Sequence, residues 1–412
     1  VVYNHFGPDG NFLNLYAPGF FTDRHHNAWG DAIDFDGPHS GPVRQFFIHN
    51  ALYWLEEFRI DGLRLDAVHA MQDDGSPHIL EELSERVREV CAGRHVHLVL
   101  ENDVNEARRL ADRPEPGRYD GQWSGDFHHT LHVLLTGERE GYYGEYADAP
   151  LPQLARALTH GFAREGAPPL GAGDRHAANP RRHATSTVPL TATVNFLQNH
   201  DQVGNRAFGE RLPALVDEAP RRLATALLLL CPPVPLLFMG EEWDAPTPFL
   251  YFADWSGALR DAVVSGRRRE FAKFAAFADP AVRERILDPC DAATVERCRL
   301  DIAAWQCDPE RVAARDHHRR LLALRHAGLV PHLPRLRTGE HRAQVLDGGV
   351  LAVEWHFDGS RVLELVANLS GEPVDWAESA RPGAVTWFVV GEVTPFRIGS
   401  WSARWRWREG GR

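Results

Sequence analysis

"GLRLDAVHA", residues 62 to 70, places two charged side chains inside an apolar run. The apolar residues of this run are typical of a buried strand, and Arg64 and Asp66 alternate with them. Side chains two positions apart on a strand point to the same face, so the arginine and the aspartate should lie side by side. Because isolated buried charges are costly, the pattern predicts an ion pair that the protein uses.

Three other apolar runs also end in polar residues: "HVHLVLEND", "ATVNFLQNHD" and "VPLLFMGEE". Between the runs, apolar residues at helical spacing predict helices, among them "SPHILEELSERVREV" with Ser76 as N-cap and Pro77 as its first residue. Strands that alternate with helices predict a parallel sheet covered on both faces. We therefore expect a (β/α)8 TIM barrel, in which active-site residues gather at the C-terminal ends of the strands.

The pattern changes beyond about residue 330. "VLAVEWHFDGSRVLELVANLS" alternates between apolar and polar residues around Asp358-Gly359, which predicts a β-hairpin. We expect a catalytic barrel over residues 1–330 and a small antiparallel β-sandwich domain over residues 331–412. Residues 167–193 are polar and rich in Pro and Gly, which predicts a long functional or mobile loop.

Charge and composition exclude several classes of protein. The 412 residues include 57 acidic and 45 basic ones, and the net charge of −12 argues against nucleic acid or an anionic membrane as a partner. The sequence shows neither an apolar run long enough for a membrane span nor a signal peptide. Five scattered cysteines without a CxxC pair suit a reducing compartment and do not suggest zinc. These features predict a cytoplasmic protein.

Three carboxylates follow predicted strands: Asp66, Glu101 and Asp201. Retaining glycoside hydrolysis needs a nucleophile and an acid/base about 5 to 5.5 Å apart, and a further anion can stabilise the cationic transition state. Arg64 would keep Asp66 ionised, as a nucleophile must be. Burial would raise the pKa of Glu101 toward the range of a working acid. Each acid taken alone could equally cap a strand or form a structural ion pair.

The segments "VVYNH", "GLRLDAVHA", "LVLEND" and "LQNHD" occur in the order of the four signatures of the α-amylase superfamily of glycoside hydrolases, which the sequence resembles. The resemblance implies that Asp66 is the nucleophile, Glu101 the acid/base and Asp201 the transition-state stabiliser. It also implies that a further set of residues binds the sugar being cleaved: His5, Arg64, His69 and His200.

Longer stretches, among them "FLQNHDQVGNRAFGERL" and "LLFMGEEW", are similar to the maltooligosyltrehalose trehalohydrolases of that superfamily. This resemblance implies hydrolysis of the α-1,4 bond next to the terminal trehalose of maltooligosyltrehalose, without a metal or other cofactor. The synthase that makes this substrate is the implied pathway partner. Since "VVYNH" lies on the third barrel strand in the superfamily, we expect the chain to begin inside that strand, without the two preceding strands and the family's N-terminal β-sandwich.

Some polar residues near the predicted site have two open interpretations. Trp123 either stacks on a glucose ring or packs in the protein. Residues that follow the predicted strands either bind the trehalose hydroxyls or form a solvated loop: Gln202, Asn205, Arg206, Glu241 and Glu242. His128 and His132 lie four positions apart on a predicted helix, but no third ligand is evident, so we expect no zinc.

Two other functions remain open from the sequence. A related α-glucan hydrolase or a branching enzyme would use the same three acids and would differ in its products. A non-catalytic glycan-binding protein is the alternative from another class, and such a protein would be expected to have lost at least one of the three carboxylates.

Overall fold

The computed structural model describes residues 1–7, 10–27, 30–111, 114–166, 182–183, 186–378 and 382–409. The chain forms two compact units, one of Val1–Asp126 with Arg156–Val194 and the other of Phe127–Ala155 with Asn195–Arg412. Of the loop expected at residues 167–193, residues 167–181 and 184–185 lie outside the described part.

The helices and strands follow one another along both units. The α-helices are α1 Leu13–Tyr16, α2 Gly41–Glu56, α3 Ile79–Val90, α4 Gly125–Thr136, α5 Pro150–His160, α6 His200–Gly204, α7 Glu218–Leu230, α8 Gly257–Phe271, α9 Pro280–Glu284, α10 Ala292–Arg297 and α11 Pro309–Gly328. The strands are β1 Phe21–Asn27, β2 Gly30–Ile33, β3 Gly62–Leu65, β4 His97–Leu100, β5 Gly121–Trp123, β6 Arg164–Glu165, β7 Arg182–His183, β8 Thr193–Phe196, β9 Val234–Leu236, β10 Arg342–Leu346, β11 Val350–Phe357, β12 Arg361–Asn368, β13 Val374–Asp375, β14 Val385–Val390, β15 Arg397–Ile398 and β16 Ser402–Glu409.

Parallel strands form the centre of the first unit. Strand β4 pairs in parallel with both β3 and β5, and β5 pairs in parallel with β8. Within β3, Leu63 and Leu65 are buried, whereas Arg64 between them is partly exposed. Strand β8 continues into the second unit, where β9 is its neighbour in the sheet. The parallel α/β sheet expected from the sequence is confirmed.

Helices α2 and α3 pack against one another in the first unit and contribute to its apolar core. The buried residues of α3 recur along one face, at Ile79, Leu83 and Val87, as the helical spacing predicts. The predicted start of this helix is wrong: it begins at Ile79 with His78 as N-cap, whose Nδ1 accepts a 3.1 Å hydrogen bond from the amide of Leu80. His78 and Asp73 supply the acceptors that the first amides need, and the helix therefore begins two residues later.

The second unit contains an antiparallel sheet of five strands in the order β10-β11-β12-β16-β14. The predicted hairpin is confirmed, since β11 and β12 pair over their whole length and join through Asp358–Ser360, where Gly359 has a φ of 77°. Trp355 on β11 and Trp405 on β16 are fully buried. The expected C-terminal antiparallel β structure is confirmed, and the boundary at residue 330 stays a prediction.

Among the described residues, no helix combines the length and the apolar character that crossing a bilayer requires.

A buried arginine closes the C-terminal end of α7. Arg325, on α11, is only 6% exposed and donates hydrogen bonds to four backbone carbonyls, those of Leu229, Cys231, Pro232 and Pro233. Burial lowers the pKa of Arg325 to about 10, so the side chain remains a cation at neutral pH. It therefore satisfies carbonyl groups that a helix end leaves without partners.

Replacement of this arginine by methionine, Arg325→Met, should lower the free energy of unfolding by about 3 kcal/mol or more, because several buried carbonyls lose a charged donor at once. Calorimetric unfolding of the two proteins measures the difference. Arg319→Met, which removes a 72% exposed side chain from the same helix, should change stability by less than about 0.5 kcal/mol. Equal effects of the two substitutions would contradict the assigned role.

Candidate active site

A sharp turn after β3 joins the ends of two neighbouring strands. Asp66 follows β3, and the next residue, Ala67, has a φ of 39°, in the left-handed region that non-glycine residues seldom adopt. The amide of Ala67 donates a 2.7 Å hydrogen bond to Oε2 of Glu101, the residue after β4. Because Leu65 pairs with Leu100 in the parallel register, Asp66 and Glu101 emerge at the same edge of the sheet.

One guanidinium bridges these two carboxylates. Nη1 of Arg64 lies 2.5 Å from Oδ1 of Asp66, and Nη2 lies 2.8 Å from Oε2 of Glu101. Cζ of Arg64 lies 4.2 Å from the centroid of the Trp123 ring, at the end of β5. The side chains of Arg64, Asp66 and Glu101 are 23%, 28% and 22% exposed, so solvent reaches the group. The predicted ion pair forms, and it includes a third charge that we had not expected there.

Asp66 is held in its charged form by neutral and cationic donors. Nδ2 of Asn4 donates to the backbone carbonyl of Asp66 at 2.7 Å and to its Oδ2 at 3.0 Å. Burial alone would raise the pKa of Asp66, but the hydrogen bonds from Asn4 and Arg64 outweigh it and hold this pKa below its ordinary value. An ionised carboxylate is what a nucleophile requires.

Asn4 was missing from the residues that we predicted for the site. It is 1% exposed, and its neighbour His5 shares a hydrogen bond with it through Nδ1 and Oδ1. The backbone amide of Asp66 donates to the carbonyl of Val1 at 3.0 Å, so this segment runs beside β3. The position of Asn4 next to His5 in "VVYNH" was the signal that could have identified it.

The two histidines predicted in this unit differ in their surroundings. Burial lowers the pKa of His5, and the nearby charge of Asp66 offsets this only in part, which favours the neutral ring. His69 is exposed, and its Nδ1 accepts a 3.4 Å hydrogen bond from the amide of Asp103. His5 therefore belongs to the group around Asp66, whereas His69 lies on the short turn that follows it.

Asp201 lies in the second unit, in the first turn of the short helix α6. Asn199 precedes this helix as its N-cap, and its Oδ1 accepts 2.9 Å hydrogen bonds from the amides of both Asp201 and Gln202. Nε2 of His200 lies 3.5 Å from Oδ2 of Asp201, and the two side chains are 48% and 42% exposed. The buried cap thus presents an exposed carboxylate and imidazole, as the "NHD" sequence favours.

The three residues predicted to contact the leaving group differ in how many contacts they make within the protein. Arg206 forms a two-pronged ion pair with Glu138 at 2.8 and 2.9 Å, and its Nε lies 3.3 Å from Glu210. Asn205 is exposed, and Oε1 of Gln202 is buried without a hydrogen-bond partner among the described residues. Each guanidinium nitrogen of Arg206 thus contacts a carboxylate, and of the other two side chains that of Asn205 is the more exposed.

The loop after β9 buries Glu241, one of the two acids whose interpretation the sequence leaves open. Glu241 is 5% exposed, and its Oε2 lies 3.3 Å from the amide of Phe238 and 3.5 Å from Nε2 of Gln198. Burial raises the pKa of Glu241 to about 8, despite these two donors. The buried carboxyl contacts the loop from within, so it is not part of a solvated loop face. A contact of Glu241 with the sugar stays an open interpretation.

His128 and His132 lie on α4, as expected, and take part in hydrogen bonds within the second unit. His128 bonds to the carbonyl of Leu197 at 2.7 Å and to the hydroxyl of Tyr143 at 3.1 Å. Nε2 of His132 lies 2.7 Å from Oε2 of Glu138. These nitrogens therefore support the loops that surround α4.

One group of possible metal ligands occurs in the first unit, within the described residues: His25, Asp36 and Asp74 have ligand atoms within 4.8 Å of one another. Nε2 of His25 lies 2.8 Å from Oδ2 of Asp36, and Arg24 forms an ion pair with the other oxygen of that carboxylate. The guanidinium of Arg24 thus already balances the charge of Asp36.

Comparison with solved structures defines the class of protein. The crystal structure of a protein named as an α-amylase from Salmonella typhimurium matches 99% of this chain and 67% of its own, at a TM-score of 0.87 and 36% identity. No family model matches the sequence. The fold class predicted from the sequence is confirmed by this similarity, together with the parallel sheet and the C-terminal antiparallel sheet. The chain belongs to the α-amylase superfamily of glycoside hydrolases.

Curated relatives narrow the family. The malto-oligosyltrehalose trehalohydrolase of Arthrobacter ramosus is 42% identical over 315 residues, which cover 76% of this chain and 52% of the relative. The enzyme of the same name from Rhizobium sp. strain M-11 is 38% identical over 384 residues, 91% of this chain and 60% of the relative. The similarity to the malto-oligosyltrehalose trehalohydrolase family is confirmed. The chain spans about half to three fifths of the length of these relatives.

The buried acid after β9 generates a prediction about pH. The folded state binds the proton of Glu241 more tightly than the unfolded state, because its pKa is raised from 4.5 to about 8. The stability contributed by this proton is complete below the unfolded pKa and is lost as the pH rises through about 8. Glu241→Gln should therefore be more stable than the parent at pH 8.5 and similar to it at pH 4.5.

Calorimetric unfolding at the two pH values checks this expectation. Glu242→Gln, the neighbouring and more exposed carboxyl, is the matched control and should leave the pH dependence of the parent unchanged. A parent and a Glu241→Gln variant that lose stability in parallel from pH 4.5 to 8.5 would show that Glu241 is ionised in the folded protein.

Proposed function

We propose that this protein is a retaining glycoside hydrolase that cleaves the α-1,4-glucosidic bond next to the terminal trehalose of maltooligosyltrehalose and releases trehalose. The observation that carries the proposal is the single guanidinium of Arg64, which contacts two carboxylates at the ends of adjacent parallel strands. Paired carboxylates, one of them kept ionised, are the machinery of double displacement at an anomeric carbon. The names of the relatives supply the substrate.

Asp66 acts in this proposal as the nucleophile. Its oxygen forms a bond to the anomeric carbon while the bond to the glycosidic oxygen breaks, and Glu101 transfers its proton to that leaving oxygen. A water molecule then attacks the anomeric carbon, gives a proton to Glu101 and releases Asp66. The superfamily motif assigns stabilisation of the positive transition state to Asp201.

The surrounding polar residues bind the sugars. The motifs assign contacts with the cleaved glucose unit to His5, Arg64, His69 and His200. Five cysteines that form no disulfide support a cytoplasmic location, where the synthase that produces maltooligosyltrehalose supplies the substrate.

Incubation of the full-length enzyme with maltotriosyltrehalose tests the proposal. The expected products are trehalose and maltotriose in equal amounts, with retained anomeric configuration in the freed maltotriose by NMR. Asp66→Asn and Glu101→Gln should each reduce kcat by at least about a thousandfold, because each removes an obligatory group. Asp61→Asn, which changes a 94% exposed carboxylate in the same unit, is the control and should retain activity.

The products also separate the alternative functions. Glucose and maltose from plain maltooligosaccharides, without trehalose, would identify a general α-glucan hydrolase, and new α-1,6 linkages would identify a branching enzyme. Tight binding of maltooligosaccharides without any turnover would identify a glycan-binding protein. Near-normal kcat in Asp66→Asn would contradict the assigned nucleophile.

Preference for trehalose is proposed to depend on Gln202 and Asn205. A site that hydrogen-bonds a hydroxyl rejects analogues that leave its polar groups unpaired. Gln202→Ala combined with Asn205→Ala should therefore reduce the ratio of kcat/KM for maltotriosyltrehalose over maltopentaose by about tenfold. Arg206→Lys, which weakens the pair with Glu138, should lower both values of kcat/KM by a similar factor. An unchanged ratio in the double variant would place recognition on other residues.

A further inference from the structure

The ring of Trp123 lies against the cation that bridges the two predicted catalytic carboxylates. Trp123 is the last residue of β5, the strand beside β4, and the amide of Ser124 next to it donates a 2.8 Å hydrogen bond to the carbonyl of Val194. The backbone at this point is therefore fixed by its neighbours in the sheet. Cζ of Arg64 lies 4.2 Å from the ring centroid, within the distance at which an aromatic face attracts a guanidinium.

Arg64 covers one face of the Trp123 ring, so a sugar cannot stack on that face. A glucose ring stacks on an open aromatic face, and here one face is in contact with the guanidinium. One face of Trp123 is therefore in contact with the arginine.

The carboxylate contacts of Arg64 use only its two terminal nitrogens. Its Nε is buried without a hydrogen-bond partner among the described residues. Its two terminal nitrogens contact carboxylates on different strands. Arginine has several rotatable bonds, and a flat ring beneath the guanidinium restricts its rotation without adding a charge that competes with Asp66 or Glu101.

We propose that Trp123 is a positioning residue that holds the Arg64 guanidinium between Asp66 and Glu101 through both steps of the reaction. The roles of the two carboxylates rest on the proposed function.

The chemistry explains why a fixed cation between the two acids is useful. Before the first step Asp66 is an anion and Glu101 carries a proton. After it Asp66 is bonded to the anomeric carbon and Glu101 is the anion, since its proton has gone to the leaving oxygen. One negative charge thus moves from Asp66 to Glu101, and Arg64 lies within 2.8 Å of both. A guanidinium held in place stabilises either charge without a change of position.

Substitution of the tryptophan separates positioning from sugar binding. Trp123→Leu should lower kcat about tenfold or more and change KM by less than about threefold, whereas Trp123→Phe, which keeps an aromatic face, should retain kcat within about threefold. Hydrolysis of maltotriosyltrehalose and of p-nitrophenyl α-maltotrioside should fall together. The p-nitrophenyl substrate needs the same carboxylates but carries no trehalose. If the enzyme hydrolyses only this substrate, the proposed trehalose specificity is wrong, but the effect of the Trp123 substitutions can still be measured.

The pH profile of kcat/KM provides a readout that a purely structural role would not change. The charged or titrating groups around Asp66 are Arg64, Glu101, His5 and the amino group of Val1. A loosened Arg64 holds the Asp66 anion less well, so the acid limb of Trp123→Leu should move to higher pH, with little movement in Trp123→Phe.

A double-mutant cycle with Arg64→Met completes the test. If Trp123 acts through Arg64, Trp123→Leu should have almost no further effect on kcat in the Arg64→Met background. Additive losses would overturn the proposal, as would a raised KM with normal kcat, which indicates a sugar platform. Equal losses in the leucine and phenylalanine variants with an unmoved acid limb would also overturn it and indicate simple packing.

Discussion

The Arg64 guanidinium is the interaction on which the candidate active site depends. Two carboxylates at the ends of neighbouring strands would repel one another, and one of them would take up a proton at neutral pH without a cation between them. Arg64 contacts both, at 2.5 and 2.8 Å. It is therefore the reason that Asp66 and Glu101 can face the same space while Asp66 stays ionised.

Packing of the apolar core places Arg64, Asp66 and Glu101 at the same edge of the parallel sheet. The buried leucines of β3 and β4 anchor the strands in the core of the first unit, together with helices α2 and α3. Further donors come from the backbone and from a buried side chain, since the amide of Ala67 donates to Glu101 and Nδ2 of the buried Asn4 donates to Asp66. The site consequently combines side chains that are chemically reactive with backbone groups whose positions depend on the strand register.

Much of this arrangement could be predicted from alternation and spacing alone. The pair of Arg64 and Asp66 follows from their separation by two positions on a strand, and the hairpin follows from Asp358-Gly359. The start of α3 was predicted two residues too early, since Ser76 and Pro77 resemble an N-terminus, but the acceptors come from His78 and Asp73. Similarly, nothing local distinguishes Glu241 from a surface acid, because its burial depends on residues distant in sequence such as Gln198. Contacts between segments far apart in the chain could not be predicted from the spacing of residues.

The alternation of β3 has a consequence for how this region tolerates insertions and deletions. Leu63 and Leu65 face the core while Arg64 lies on the other face, so adding or removing one residue within the strand exchanges the two faces. The charged groups would then enter the apolar interior and the leucines would meet solvent. The strand would lose both its anchorage in the core and its ion pair. Insertions and deletions should therefore be tolerated better in the turns on either side of β3, or as steps of two residues within it.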